Sequence, residues 1–202
     1  VFFMFIIIIH MIGIILFAYV TLRLVLPLAA PRPVKAALVV FVFLISQYHG
    51  LLRLSGMLAS PELPRGLTIL ASWLSISLVL CFVVLVARDL ALLLRYALRK
   101  SGVLRPVPFS PGRRALGVAG AAGVALALGG VSVQQAMRVP DVRRSELVLN
   151  GLPPEMDGLS LAHITDLHAT KLLYGSRVAA VVDRVNALQP DLILCTGDMV
   201  DG

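Results

Sequence analysis

Leu159-Ser160-Leu161-Ala162-His163-Ile164-Thr165-Asp166-Leu167-His168 is an apolar run that stops at two metal-capable side chains. Asp191-Leu192-Ile193-Leu194-Cys195-Thr196-Gly197-Asp198-Met199-Val200-Asp201-Gly202 repeats the pattern. Between them, Ser176 to Leu188 places Val178, Val181, Val182, Val185 and Leu188 at helical spacing, and Pro190 ends that pattern. Strand, helix and strand in that order predict two parallel neighbours, both buried. Ligands of open α/β sheets bind at the carboxyl edge of the strands. Asp166, His168 and Asp198 all fall at that edge. Carboxylate oxygen with imidazole nitrogen suits borderline divalent ions such as manganese, iron or zinc. Gly197 removes a side chain beside Asp198, where backbone and ion approach closely.

Asp-x-His followed about thirty residues later by Gly-Asp-x-x-Asp resembles the calcineurin-like metallophosphoesterase family. The motifs are Ile164-Thr165-Asp166-Leu167-His168 and Thr196-Gly197-Asp198-Met199-Val200-Asp201, and the resemblance covers Leu159 to Gly202. It implies an αββα-type α/β domain with two divalent metal ions. Asp166 and His168 would bind the first, and Asp198 would bridge both. Asp201 would orient the loop rather than ligate. A metal-bound hydroxide would attack phosphorus in line. The substrate would be a phosphodiester, a phosphomonoester or a lipid-linked pyrophosphate. The family also uses a Gly-Asn-His segment, a further His and a Gly-His-x-His segment, and none occurs in this sequence. The expectation is therefore the N-terminal part of a truncated domain, inactive alone, with its catalytic acid and phosphate-contacting residues unknown.

Working back from these motifs, Glu146 to Leu149 reads as a short strand and residues 134–145 as a polar linker. Ahead of the linker the chain is apolar. Of its 202 residues, 58% are hydrophobic and 14% charged. An ordinary soluble domain is about 45–50% apolar and about 25% charged. Four uncharged runs, about 1–22, 36–52, 67–87 and 115–133, predict transmembrane helices. The expected architecture is a multi-span α-helical membrane region, 1–133, followed by the start of a phosphoesterase domain, 146–202. This arrangement resembles the membrane-bound members of the family.

The net charge of +7 divides unevenly. Residues 1–140 hold 13 Lys and Arg against 2 acids, while residues 141–202 hold 5 against 9. Basic loops beside apolar spans argue against a nucleic-acid partner and for a lipid bilayer. Arg88, Arg95, Arg99, Lys100, Arg105, Arg113 and Arg114 lie between the third and fourth runs. That loop is predicted cytoplasmic, which puts the polar end outside the cytoplasm. A multi-pass protein of the plasma (inner) membrane is the expected setting. Arg88 to Lys100 reads as a helical extension of the third span, with a basic amphipathic helix lying on anionic lipid headgroups as the alternative. Ser110-Pro111-Gly112-Arg113-Arg114-Ala115-Leu116 resembles a twin-arginine export signal, with membrane anchoring by the two arginines as the alternative.

Cys81 and Cys195 offer no disulfide framework and read as small buried hydrophobes. His163 reads as a packed core histidine. His10, inside the first run, has no evident intramembrane partner, and His49 with Gln47 and Tyr48 reads as an interface marker. The rival function is a non-catalytic membrane scaffold or sensor with a degenerate metal-binding end. A transporter is disfavoured, because the four runs show no paired internal charges or inverted repeat.

Overall fold

The computed structural model describes residues 2–58, 64–105, 110–169 and 175–199. The chain divides into two compact units, 1–133 and 134–202.

The first unit is four helices: α1 (Phe2–Val20), α2 (Arg32–Leu58), α3 (Arg65–Lys100) and α4 (Pro111–Ala136). Each contains a stretch long and apolar enough to cross a membrane, by length and composition. Three helices run well past the expected spans. Hydropathy marks where lipid contacts side chains, but the backbone ladder continues through the charged flanks. Arg88 to Lys100 accordingly extends α3 without a break. Gly102, with φ of +80°, follows the last turn, and its N–H bonds the Arg99 carbonyl at 3.1 Å. A left-handed glycine just past a helix is a common stop.

The exposed surface of this bundle is mainly Ile, Leu, Val and Phe, as expected of helices that face lipid tails. Its interior is small: Val20, Val25, Val42, Cys81, Leu85, Ala121 and Ala125 are buried together. Polar contacts between helices supplement them. His10 Nδ1 lies 2.6 Å from Gln47 Oε1, joining α1 to α2. This corrects the expectation that His10 has no partner, and Gln47 is buried rather than an interface marker. Trp73 Nε1 donates to the Leu126 carbonyl at 2.9 Å, joining α3 to α4. At Gly129 an added Cβ would fall 2.1 Å from Ser77 Oγ and 3.3 Å from Ser77 Cα. Helix α4 therefore lies against α3 with no room for a side chain there.

A π-helical turn, Thr21–Val25, follows α1. Within it, Arg23 Nε lies 2.8 Å from Asp89 Oδ2. Tyr19 Oη donates to the same oxygen at 2.9 Å, and Arg88 Nη1 reaches the other oxygen at 3.1 Å. The end of α1 and the middle of α3 are thus held at one level.

The second unit has two strands, β1 (Leu161–Thr165) and β2 (Leu192–Thr196), with α5 (Gly175–Ala187) between them. The strands are parallel, in register from Leu161↔Leu192 to Thr165↔Thr196. The expected strand–helix–strand order is present. Burial is not as expected: Ala162 is the one buried residue of β1, and every residue of β2 is exposed. A two-stranded sheet leaves both outer edges unpaired among the described residues, so continuous apolar strands find nothing to cover them. Cys195, on β2, is exposed for the same reason. Glu146 to Leu149 is not a strand. Leu147 and Val148 are 80% and 86% exposed, with no partner strand among the described residues to supply backbone hydrogen bonds.

The amino edge of the sheet is tied by one pair. Ser160 donates to Asp191 Oδ2 through Oγ at 2.6 Å and through its backbone N–H at 2.8 Å. The Asp191 N–H returns a bond to the Ser160 carbonyl at 2.9 Å. The Ser160 hydroxyl, then its backbone N–H, holds the Asp191 carboxyl below the ordinary value. A depressed folded-state pKa contributes stability that is present above the unfolded value of about 3.9 and is lost as pH falls through the folded value. Acid unfolding of the second unit below about pH 4 should therefore shrink in Asp191→Asn. Circular dichroism against pH checks it, and an unchanged acid limb would show that this carboxylate does not contribute.

Candidate metal centre

Thr165 is the last residue of β1 and Thr196 the last of β2, and they are register partners. The chain leaves β1 through Asp166 at φ +49°, and His168 adopts φ +45°. Left-handed backbone is uncommon outside glycine, and Asp and His are among the residues that tolerate it best. Such conformations cluster at functional sites. Beyond this detour the two segments pair again. The His168 N–H donates to the Asp198 carbonyl at 3.0 Å, and the Ala169 N–H donates to the Met199 carbonyl at 2.9 Å. The backbone thereby sets the two motifs side by side.

Asp166, His168 and Asp198 each bring one ligand atom into a group whose members lie within 4.8 Å of one another. His168 Nε2 is 4.0 Å from Asp198 Oδ2. Two ligands about 2.1 Å from one ion can be at most about 4.2 Å apart. At tetrahedral angles the spacing is about 3.4 Å, so these side chains, all within 4.8 Å of one another, would draw closer together around a bound ion. The donors are carboxylate and imidazole, suited to a divalent transition ion. Asp166 and Asp198 are exposed and His168 is half-buried, so an ion could enter from solvent. Asp201 lies outside the described residues.

Two neighbours shape this group. Thr165 Oγ1 donates to Asp166 Oδ2, which orients that carboxylate and leaves Oδ1 for other partners. Gly197, at φ +80°, packs on the same carboxylate: a Cβ there would meet Asp166 Oδ1 at 3.0 Å and Thr165 Oγ1 at 3.1 Å. Glycine is required both for the turn and for the close approach.

The sequence analysis missed the Thr165 bond, although a hydroxyl next to the first ligand was its visible signal. His163 is corrected. It is exposed, not packed in a core, and its Nε2 contacts Thr196 Oγ1 across the sheet. Register places His163 opposite Leu194, so Thr196 is its diagonal neighbour on the same face. It stands outside the ligand group.

Two carboxylates and an imidazole thus gather at the ends of parallel strands, in a chain that also carries four apolar helices. This chain is similar to transmembrane proteins with a metallophosphoesterase domain. A Danio rerio protein of that description is 32% identical over 71 residues, 35% of this chain and 16% of its own length. Its Bos taurus counterpart is 30% identical over 71 residues, again 35% of this chain and 16% of its own. The match thus spans about a sixth of each of these relatives. No family profile and no solved structure matches the chain. The relatives' names support a metallophosphoesterase-related family, and with the four apolar helices they support a membrane protein.

Proposed function

We propose that the chain is part of a membrane-anchored, metal-dependent phosphoesterase. Asp166, His168 and Asp198 would be its metal ligands, with Asp198 shared with a second divalent ion, as the family resemblance implies. The observation that carries this reading is the meeting of those three side chains at the carboxyl edge of a parallel pair. The names of the relatives support it from an independent side.

In this reading, residues 1–133 anchor the protein, 134–145 connect, and 146–202 contribute the front of a calcineurin-like domain. Divalent ions held there would neutralise charge on a phosphoryl group and lower the pKa of a bound water. The chain's own residues position them. Thr165 fixes the Asp166 carboxylate, Gly197 keeps the approach open, and the left-handed backbone at Asp166 and His168 turns both side chains toward Asp198. The substrate is a phosphodiester, a phosphomonoester or a lipid-linked pyrophosphate. In this reading the metal centre lies on the extracytoplasmic side of the plasma membrane, which the bias of Lys and Arg toward the loop between α3 and α4 supports.

The test is a manganese titration of the full chain in lipid nanodiscs, with free Mn2+ read by electron paramagnetic resonance. One ion per chain should be withdrawn from solution, with saturation. A free-ion signal that tracks total manganese would end the proposal. Protease protection of a C-terminal tag in sealed vesicles tests the orientation separately.

A further inference from the structure

Helix α3 has 36 residues, about 54 Å at 1.5 Å per residue. A bilayer core is about 30 Å thick. The contact between Arg23 and Asp89 shows which end is in excess. The α1 span runs Met4–Val25, so Arg23 marks one boundary of the membrane. Asp89 is held to Arg23 at 2.8 Å and so lies at that boundary. Leu90 to Lys100 therefore continues about 16 Å beyond it, through the headgroup layer.

That projection carries two kinds of side chain. Leu90, Leu93 and Leu94 are each more than 60% exposed, and with Ala97 they share one face by three- and four-residue spacing. Arg95 and Arg99 lie on the opposite side of the same turns, and Lys100 and Arg105 follow. The one acid between Arg88 and Arg105 is Asp89, already engaged by Tyr19, Arg23 and Arg88. Arg99 Nε is buried with no hydrogen-bond partner among the described residues. The segment thus offers exposed leucines nearest the acyl boundary and cationic donors from Arg95 outward through the headgroup layer.

We propose that Leu90–Arg105 is a binding collar for anionic phospholipid in the leaflet at which α1 ends. The leucines enter the interfacial layer, and Arg95, Arg99 and Lys100 bind the lipid phosphates. Charge complementarity selects this occupant. A second copy in the same membrane stands parallel to the first, so its arginines meet these at equal depth and repel. An anionic headgroup meets them with opposite charge, and juxtamembrane basic clusters are drawn to such leaflets.

The test uses the full chain with Cys195→Ser, spin-labelled at Leu94→Cys; Cys81 is buried and stays unlabelled. Nanodiscs contain phosphatidylcholine alone or with phosphatidylglycerol. The label should be more accessible to oxygen than to a water-soluble nickel complex. Spin-labelled phosphatidylglycerol should associate in preference to phosphatidylcholine. The combined variant Arg95→Gln, Arg99→Gln, Lys100→Gln should lower that preference about tenfold or more, since each cation near an anionic surface is worth about fivefold. Circular dichroism confirms that the variant keeps its helices. A wild-type protein without the preference, or a variant that keeps it, overturns the proposal. So does dipolar coupling between labels of two chains, which would show a second copy covering the leucines, or equal competition by inorganic phosphate.

Discussion

Replacing Asp198 by alanine is expected to abolish divalent-ion binding at the end of β2, with affinity falling by more than a hundredfold. Loss of an outer-shell partner already costs about 10–100-fold at metal sites, and in the proposed centre Asp198 would supply a ligand atom itself. The fold should survive, because Asp198 is exposed and the bond it accepts from the His168 N–H, at 3.0 Å, goes to its backbone carbonyl. That bond remains in the alanine variant. Thermal shift separates the two effects. A saturating ion at 100 times its dissociation constant stabilises a folded protein by about 2.7 kcal/mol. Wild type should gain this on addition of manganese, and Asp198→Ala should not, while both melt alike without it. His163→Ala is the control. It should keep the ion, since His163 contacts Thr196 and lies outside the ligand group. Metal affinity unchanged in Asp198→Ala would remove the centre from the proposed function.

Replacing Gly129 by leucine should severely destabilise the packing of α4 on α3. Its Cβ alone would sit 2.1 Å from Ser77 Oγ and 3.2 Å from Ser77 Cβ. A rotamer change can move the hydroxyl but not the backbone at 3.3 Å, so α3 and α4 must separate. Overpacking of this kind costs about 1–3 kcal/mol and sometimes more; with a whole leucine inserted we expect the upper end. Separation also breaks the bond from Trp73 to the Leu126 carbonyl, 2.9 Å long and one turn from the contact. Gly123→Leu is the matched control, because a Cβ there meets nothing within 4 Å. Unfolding by sodium dodecyl sulfate in bicelles, followed by Trp73 fluorescence, distinguishes them. Equal stability of the two variants would mean that the helices do not pack through Gly129.

The metal-capable group was legible from sequence because it depends on order alone. Two strands separated by a helix become parallel neighbours, and parallel neighbours present their carboxyl ends together. Asp166, His168 and Asp198 needed no further information. The left-handed backbone at Asp166 and His168 was not legible, since neither residue type demands it and Gly197 was the lone visible turn signal. The helices were legible from hydropathy, their ends less so, because hydrogen bonding along α3 outlasts its lipid-facing composition. Pairings across the bundle were hidden for a different reason. His10 meets Gln47 and Arg23 meets Asp89 only once the rotation of each helix about its axis is known, and an almost uniformly apolar helix gives little periodicity to set it. The strands Leu161–Thr165 and Leu192–Thr196 misled about burial, since an apolar run declares what it would bury against and not whether that surface is present.

The bond between Arg23 and Asp89 also has a schedule. The two residues are 66 positions apart. At about 5–20 residues per second, a ribosome needs roughly 3–13 seconds to deliver Asp89 after Arg23. Throughout that interval Arg23 lacks its carboxylate partner and has the Tyr19 ring, 5.8 Å from its guanidinium carbon, as its neighbour within α1. Arrival of α3 ends the wait, supplying Asp89 to Arg23 and Tyr19 together. The ion pair that joins the first helix to the third therefore cannot form before the third has been made.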